Sequence, residues 1–156
     1  MGDVLRFVMP VALAALLLSA GIEDVRKREI ANWKNAAIAL AAPLWWWAIG
    51  LEAWPGAAIQ IGVAIGVFAL FAAAFAAGMM GGGDVKMIAA LALWFPLGAF
   101  FDLLLLMSVL GGAITLAMLI EHRRAQKPGS PEIPYGVAIA CAALLSLHQP
   151  LLNHFG

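Results

Sequence analysis

Long apolar runs separated by short polar connections make up most of the chain. Reading windows of about 20 apolar residues places runs near 4 to 22, 35 to 53, 57 to 78, 85 to 95, 98 to 120 and 134 to 154. No run shows the strand alternation of an outer-membrane barrel, so the pattern predicts an all-α, polytopic transmembrane bundle of about six spans. The bundle is expected to form a single domain over residues 1–156. The fourth run is short: it tilts, thins the bilayer locally, or begins deeper with the preceding glycines as a re-entrant segment, and the sequence leaves these open. Pro96, Leu97 and Gly98 break the ladder between the fourth and fifth runs and predict a tight helical hairpin. The Gly62 and Gly66 pair, spaced as GxxxG, predicts close helix packing inside the bundle.

Composition agrees with the pattern. At 64% hydrophobic and 12% charged residues, a chain of this size has too little polar material to cover a soluble domain. The lipid bilayer is therefore its first partner. The one cysteine, Cys141, falls in the last apolar run, where it is expected to pack in the core, and it excludes a disulfide or a cysteine-based zinc site within the chain. Net charge is zero, and no nucleic-acid partner is expected.

The placement of charge is more informative than its sum. Arg26, Lys27, Arg28 and Lys34 occupy one connection, Arg123, Arg124 and Lys127 another, and Lys86 the glycine stretch, whereas the connections at 52–56 and 95–97 hold no Lys or Arg. The positive-inside rule puts the three basic connections in the cytoplasm and the amino terminus outside. Trp45, Trp46, Trp47, Trp54 and Trp94 cluster near the charge-free ends and predict an outer aromatic belt, with Trp33 alone at a basic end. A retained first span fits better than a cleaved signal peptide, because Asp3 offsets Arg6 and the basic cluster after the run would have to be exported. Arg6 then snorkels to the outer interface.

Against this background Gly81-Gly82-Gly83-Asp84-Val85-Lys86 stands out. A carboxylate at the edge of a span is costly and calls for a partner. Asp24 is that partner: two spans separate it from Asp84, so both return to the same face, and packing of spans one and four would join them. Two carboxylates a few ångströms apart share a proton. One can then take a proton from water while the other hydrogen-bonds a scissile carbonyl, with no metal, cofactor or covalent intermediate. Asp84 opens a helix, whose dipole favours the anion, while Asp24 closes one. On that contrast Asp84 is the expected base, with Arg26 and Lys86 near enough to change the order and the pair titrating as a unit. Gly81, Gly82 and Gly83 let the chain turn and let an extended substrate approach. Taken singly, Asp84 is an acceptable helix cap and Asp24 a solvated juxtamembrane charge.

Gly81-Gly82-Gly83-Asp84 resembles the GxGD motif of the type IV prepilin peptidases, and Asp24-Val25-Arg26-Lys27-Arg28-Glu29-Ile30-Ala31-Asn32 resembles the segment around their other catalytic aspartate. There the acid and basic residues lead to Ile-Pro-Asn; here Ala31 stands in place of the proline, a change expected to loosen the loop and spare the acid chemistry. Ile133-Pro134-Tyr135-Gly136 looks like the family's lead-in to its last helix. Presenilin-like proteases share a GxGD element but pair it with Tyr-Asp, which does not occur here. The resemblance implies catalytic Asp24 and Asp84, and removal of the basic leader from prepilins or pseudopilins, commonly after a glycine and before their hydrophobic helix, at the cytoplasmic face of the bacterial inner membrane. It implies the short, peptidase-only form of tight-adherence (Flp-type) pilus systems, without the methyltransferase domain.

Lys86, Asn32 and Tyr135 are expected to support substrate or the acids. Asp102 is expected to be structural or interfacial. Glu23, Glu29, Glu121 and Glu132 balance basic neighbours or attract a basic leader. His122, His148 and His154 have no metal-ligand spacing. Two rival readings remain: a small ion-coupled transporter, which would place its acids at the midplane, and a non-catalytic subunit of a pilus or secretion assembly.

Overall fold

Among the described residues six α-helices follow the six apolar runs. The structure, a computed structural model, describes residues 2–125 and 133–147; Lys127, Glu132, His148 and His154 lie outside the described residues. Helices α1 (Gly2–Lys27), α2 (Asn32–Ile49), α3 (Ala58–Ala76), α4 (Gly82–Ala92), α5 (Leu97–Arg124) and α6 (Tyr135–Ser146) follow one another, with a wide irregular turn at Ala53–Ala57 ahead of α3. Segments Gly2–Lys27, Ala53–Ala76 and Leu97–Arg124 are long and apolar enough to cross a bilayer. At about 1.5 Å per residue α4 is only ~16 Å long, about half a hydrocarbon core.

Although the shortest of the long apolar elements, α4 is the most enclosed. Met87, Ile88, Leu91 and Ala92 have no exposed surface, and α3, α2 and α6 pack around the helix. α1 and α4 have only marginal contact; both lean on α2 and α6 instead. The direct packing of spans one and four expected from the sequence is thus replaced by two bridging helices. The hairpin expected at Pro96 also opens, since α5 barely touches α4 and packs along α6. All faces of these helices are apolar, so hydrophobic pattern alone does not choose partners.

Three tryptophans assigned to the outer belt belong to the core. Trp45 and Trp94 are buried and stacked, with ring centroids 5.8 Å apart. Trp46 Nε1 donates to Leu93 O at 2.7 Å, and Trp94 Nε1 to Ile38 O at 2.8 Å, so each indole N–H is satisfied inside the bundle. Trp47 and Trp54 are exposed, as a belt requires. At the same end Arg6 Nε donates to Ala48 O at 2.7 Å, which joins the start of α1 to the end of α2.

Small residues depart from expectation too. A Cβ on Gly62 or Gly66 would meet nothing within 4 Å, so this pair faces outward and packs no neighbouring helix. Cys141 is likewise exposed. The left-handed backbone needed to end α3 is adopted by Gly78, with φ 72°, and not by the triple glycine.

Candidate active site

α1 ends at a residue in the left-handed region, Arg28 with φ 56°. Its N–H bonds the Asp24 carbonyl at 2.9 Å, closing the last turn. This fixes Asp24 on the final turn of α1 with its side chain turned inward, 5% exposed. Asp24 Oδ2 accepts from the Val137 N–H at 3.2 Å, and the Gly136 N–H also faces the carboxylate. These donors belong to the first turn of α6, where N–H groups lack an i−4 acceptor; the Val137 N–H is shared between Asp24 and the Pro134 carbonyl, also at 3.2 Å. Asp24 therefore caps α6 from a different helix.

Asp84 lies in the first turn of α4, whose N-cap is Gly81. Its carboxylate reaches back to the Gly81 N–H, the return half of a capping box. Asp84 is not the cap residue itself, as a helix-cap reading would have it, but the third residue of the helix. Both acids thus meet N–H groups at a helix start; because Asp24 also lies in the last turn of α1, as expected, the dipole contrast that made Asp84 the expected base is offset at Asp24 by the start of α6.

Asp24, Arg28, Glu29, Ile30, Asn32, Gly81, Gly82, Gly83 and Asp84 line one cavity of about 330 Å³. Parity of the spans correctly brings the two acids to one end of the bundle. The glycines contribute room. A Cβ on Gly83 would lie 3.3 Å from Ile30 Cβ, and one on Gly81 would lie 3.1 Å from Asp84 Oδ2. None of the three has positive φ, so close approach, not an unusual turn, is what the stretch provides.

The wall of the cavity is tied down from behind. Asn35, 4% exposed, donates from Nδ2 to the Gly83 carbonyl at 3.1 Å and so joins α2 to the glycine stretch. Lys86 Nζ donates to Asn32 Oδ1 at 2.7 Å across the rim. Buried Lys34 pairs with Glu23 at 2.8 Å and donates to Ser19 O at 3.0 Å. Glu23 accepts from the Ala31 N–H at 3.2 Å and pairs with Lys27 at 3.3 Å. These bonds tie the loop at Ala31 to the end of α1 and to α2. Ala31 has φ −58°, close to the value a proline ring enforces, and its N–H holds Glu23 in a way that proline would not.

Of the supporting residues, Asn32 lines the cavity and Lys86 holds it. Tyr135 is not among the described cavity residues; a Cβ on Gly111 would meet its ring at 3.5 Å, which sets Tyr135 against α5. Sequence reasoning passed over Asn35 and Gly136. The signal for Asn35 is its position one helical turn after Asn32 in an otherwise apolar run. The signal for Gly136 is its place in the Pro-Tyr-Gly motif, where a side chain would sit 2.8 Å from Asp24 Oδ2. Among the described residues no three His, Cys, Asp or Glu side chains gather as a metal site would need.

The geometry resolves into two buried carboxylates facing a common space, each held by backbone donors, an arrangement suited to activating a water. No curated protein and no solved structure matches the chain. The family model of the type IV leader peptidases matches residues 11–116, about two thirds of the sequence, and includes both aspartates. The chain belongs to the type IV leader peptidase family.

Proposed function

We propose that this protein is an aspartic endopeptidase of the bacterial inner membrane that removes the basic leader from Flp-like type IV prepilins or pseudopilins. The observation that carries the reading is the shared cavity of Asp24 and Asp84 with Gly81, Gly82 and Gly83. In the reaction the pair holds one proton. The ionised carboxylate takes a proton from water as the water attacks the scissile carbonyl, and the protonated one hydrogen-bonds the carbonyl oxygen as charge develops there. The proton then passes to the leaving amine as the C–N bond breaks, which returns the pair to its singly protonated state. The basic connections support a cytoplasmic site with the amino terminus outside, and Glu29 at the cavity favours a positively charged leader.

The test is an immunoblot for leader removal from a co-expressed Flp-type prepilin in membranes with matched amounts of wild-type, Asp24→Asn or Asp84→Asn protein. Cleavage by the wild type and by neither variant is expected. Cleavage that persists in both variants would sink the two-carboxylate mechanism. A wild-type protein inactive on several such prepilins turns attention to proton or cation flux through the same acids.

A further inference from the structure

A second cavity, about 710 Å³ in volume, runs lengthwise between α2, α3 and α4. α4 packs against both of the others, which scarcely touch each other, so α4 forms a floor between two walls. Small residues, Ala89 and Ala90, lie on that floor, and the bulky Ile61, Ile65 and Phe68 stand along α3. Along α2 the groove extends from Asn32 to Trp46, a rise of ~21 Å at about 1.5 Å per residue. Alanines on a floor let another helix approach closely, and the length accepts about four turns of it.

The groove is apolar except at one end, where Asn32, Asn35 and Lys86 meet. That end opens onto the candidate active site, because Asn32 borders both cavities. Asn35 supplies an independent observation. Its Nδ2 is spent on Gly83 O, but its Oδ1 is buried and has no hydrogen-bond partner. An unsatisfied buried acceptor is costly and is normally met by a donor. The first turn of a helix carries N–H groups with no acceptor of their own; a lipid acyl chain carries none.

We propose that the groove between α2, α3 and α4 receives the hydrophobic helix of the substrate, with an N–H of that helix's first turn bonded to Asn35 Oδ1. This rests on the leader-peptidase reading above and adds to it the place where the substrate is held. A helix so seated begins beside Asn35 and leads its preceding residues, the cleavage region, past Asn32 toward Asp24 and Asp84. Recognition is then divided: the helix sets the register, and the carboxylates act on the chain a fixed distance before it.

The test uses full-length Asp84→Asn protein carrying a photoreactive benzophenone side chain at Ala36 or Ile65, on opposite walls, or at Leu116 of α5 as a control; all three positions are exposed. Each is irradiated in membranes with an epitope-tagged Flp-type prepilin, while wild-type protein is assayed for cleavage of the same prepilin. Substrate bands from both groove positions and none from Leu116 are expected. With cleavage intact in the wild type, groove positions that trap only lipid, only a second copy of the chain, or nothing overturn the groove and leave the peptidase reading standing. No cleavage by the wild type counts against the peptidase reading itself. Ala36→Trp, which narrows the groove from an exposed position, should lower the cleavage rate at sub-saturating prepilin about tenfold with thermal unfolding unchanged; an unaltered rate overturns the proposal.

Discussion

The Val137 N–H donates to Asp24 Oδ2 at 3.2 Å across 113 residues of sequence. This one bond fastens the last turn of α1 to the first turn of α6. It gives Asp24 a structural duty beside its proposed chemical one. A helix N-terminus left without an acceptor destabilises the helix, and the carboxylate fills that role here from outside α6.

Asparagine at position 24 keeps an acceptor oxygen for Val137 but cannot exchange a proton as a carboxyl does. Asp24→Asn should unfold in detergent within about 0.5 kcal/mol of wild type, whereas Asp24→Ala, which uncaps α6, should lose about 1 kcal/mol. Both should fail to cleave a prepilin. Thermal unfolding paired with the leader-removal assay separates the two duties; equal stability of the Ala and Asn variants would argue against the capping role.

Gly136 offers a sharper probe of geometry. An added Cβ would lie 2.8 Å from Asp24 Oδ2 and 2.7 Å from Ile30 Cδ1, too close for either neighbour to stay in place. Gly136→Ala should displace the carboxylate and lower the cleavage rate on the order of 100-fold, with about 1–3 kcal/mol lost to overpacking. Gly112→Ala is the matched control. Its Cβ would meet nothing within 4 Å, so relief of glycine's backbone entropy should stabilise α5 by about 0.5–1 kcal/mol and leave cleavage unchanged.

The stacked tryptophans at the opposite end should affect stability without touching the chemistry. Trp94→Phe keeps a ring against Trp45 but removes the N–H that bonds Ile38 O, at a cost of about 1 kcal/mol. Trp94→Ala opens a cavity beside Trp45 and should cost about 3–5 kcal/mol. Leader removal per folded molecule should equal wild type in the Phe variant. A selective loss of activity there would mean that the two ends of the bundle are coupled.

How much of this was legible beforehand follows from what kind of signal each feature leaves. Apolar length is a local signal: among the described residues the six runs became six helices, the first five with ends shifted by up to five residues. Parity placed Asp24 and Asp84 at one end without knowledge of any contact. Partner choice left no such trace. In α3 and α5 every face is apolar, so nothing in the sequence told that α5 would leave α4 for α6, or that Gly62 and Gly66 would face outward. Tryptophan position was read as interfacial because the span ends were known; the hydrogen bonds that bury Trp46 and Trp94 run to backbone carbonyls 47 and 56 residues away. Asp24 was read only from the helix it ends, whereas its carboxylate also meets the N–H groups that start α6.

That last point shapes the expected pH dependence. With both acids meeting N–H groups at a helix start, the working state is better described as one proton held by the pair than as a fixed acid and a fixed base. At low pH both carboxyls are protonated and no base remains to activate water. At high pH both are ionised and none can hydrogen-bond the carbonyl oxygen. The cleavage rate at sub-saturating prepilin should therefore rise and then fall as pH increases, each limb following one macroscopic titration of the pair. Initial rates in detergent or proteoliposomes, taken only where thermal unfolding shows the protein folded, would trace the curve. A rate that climbs or falls steadily through the whole folded range would mean that a single ionisation governs the reaction. In that case the second carboxylate would keep only its capping role, and the shared-proton mechanism would have to be given up.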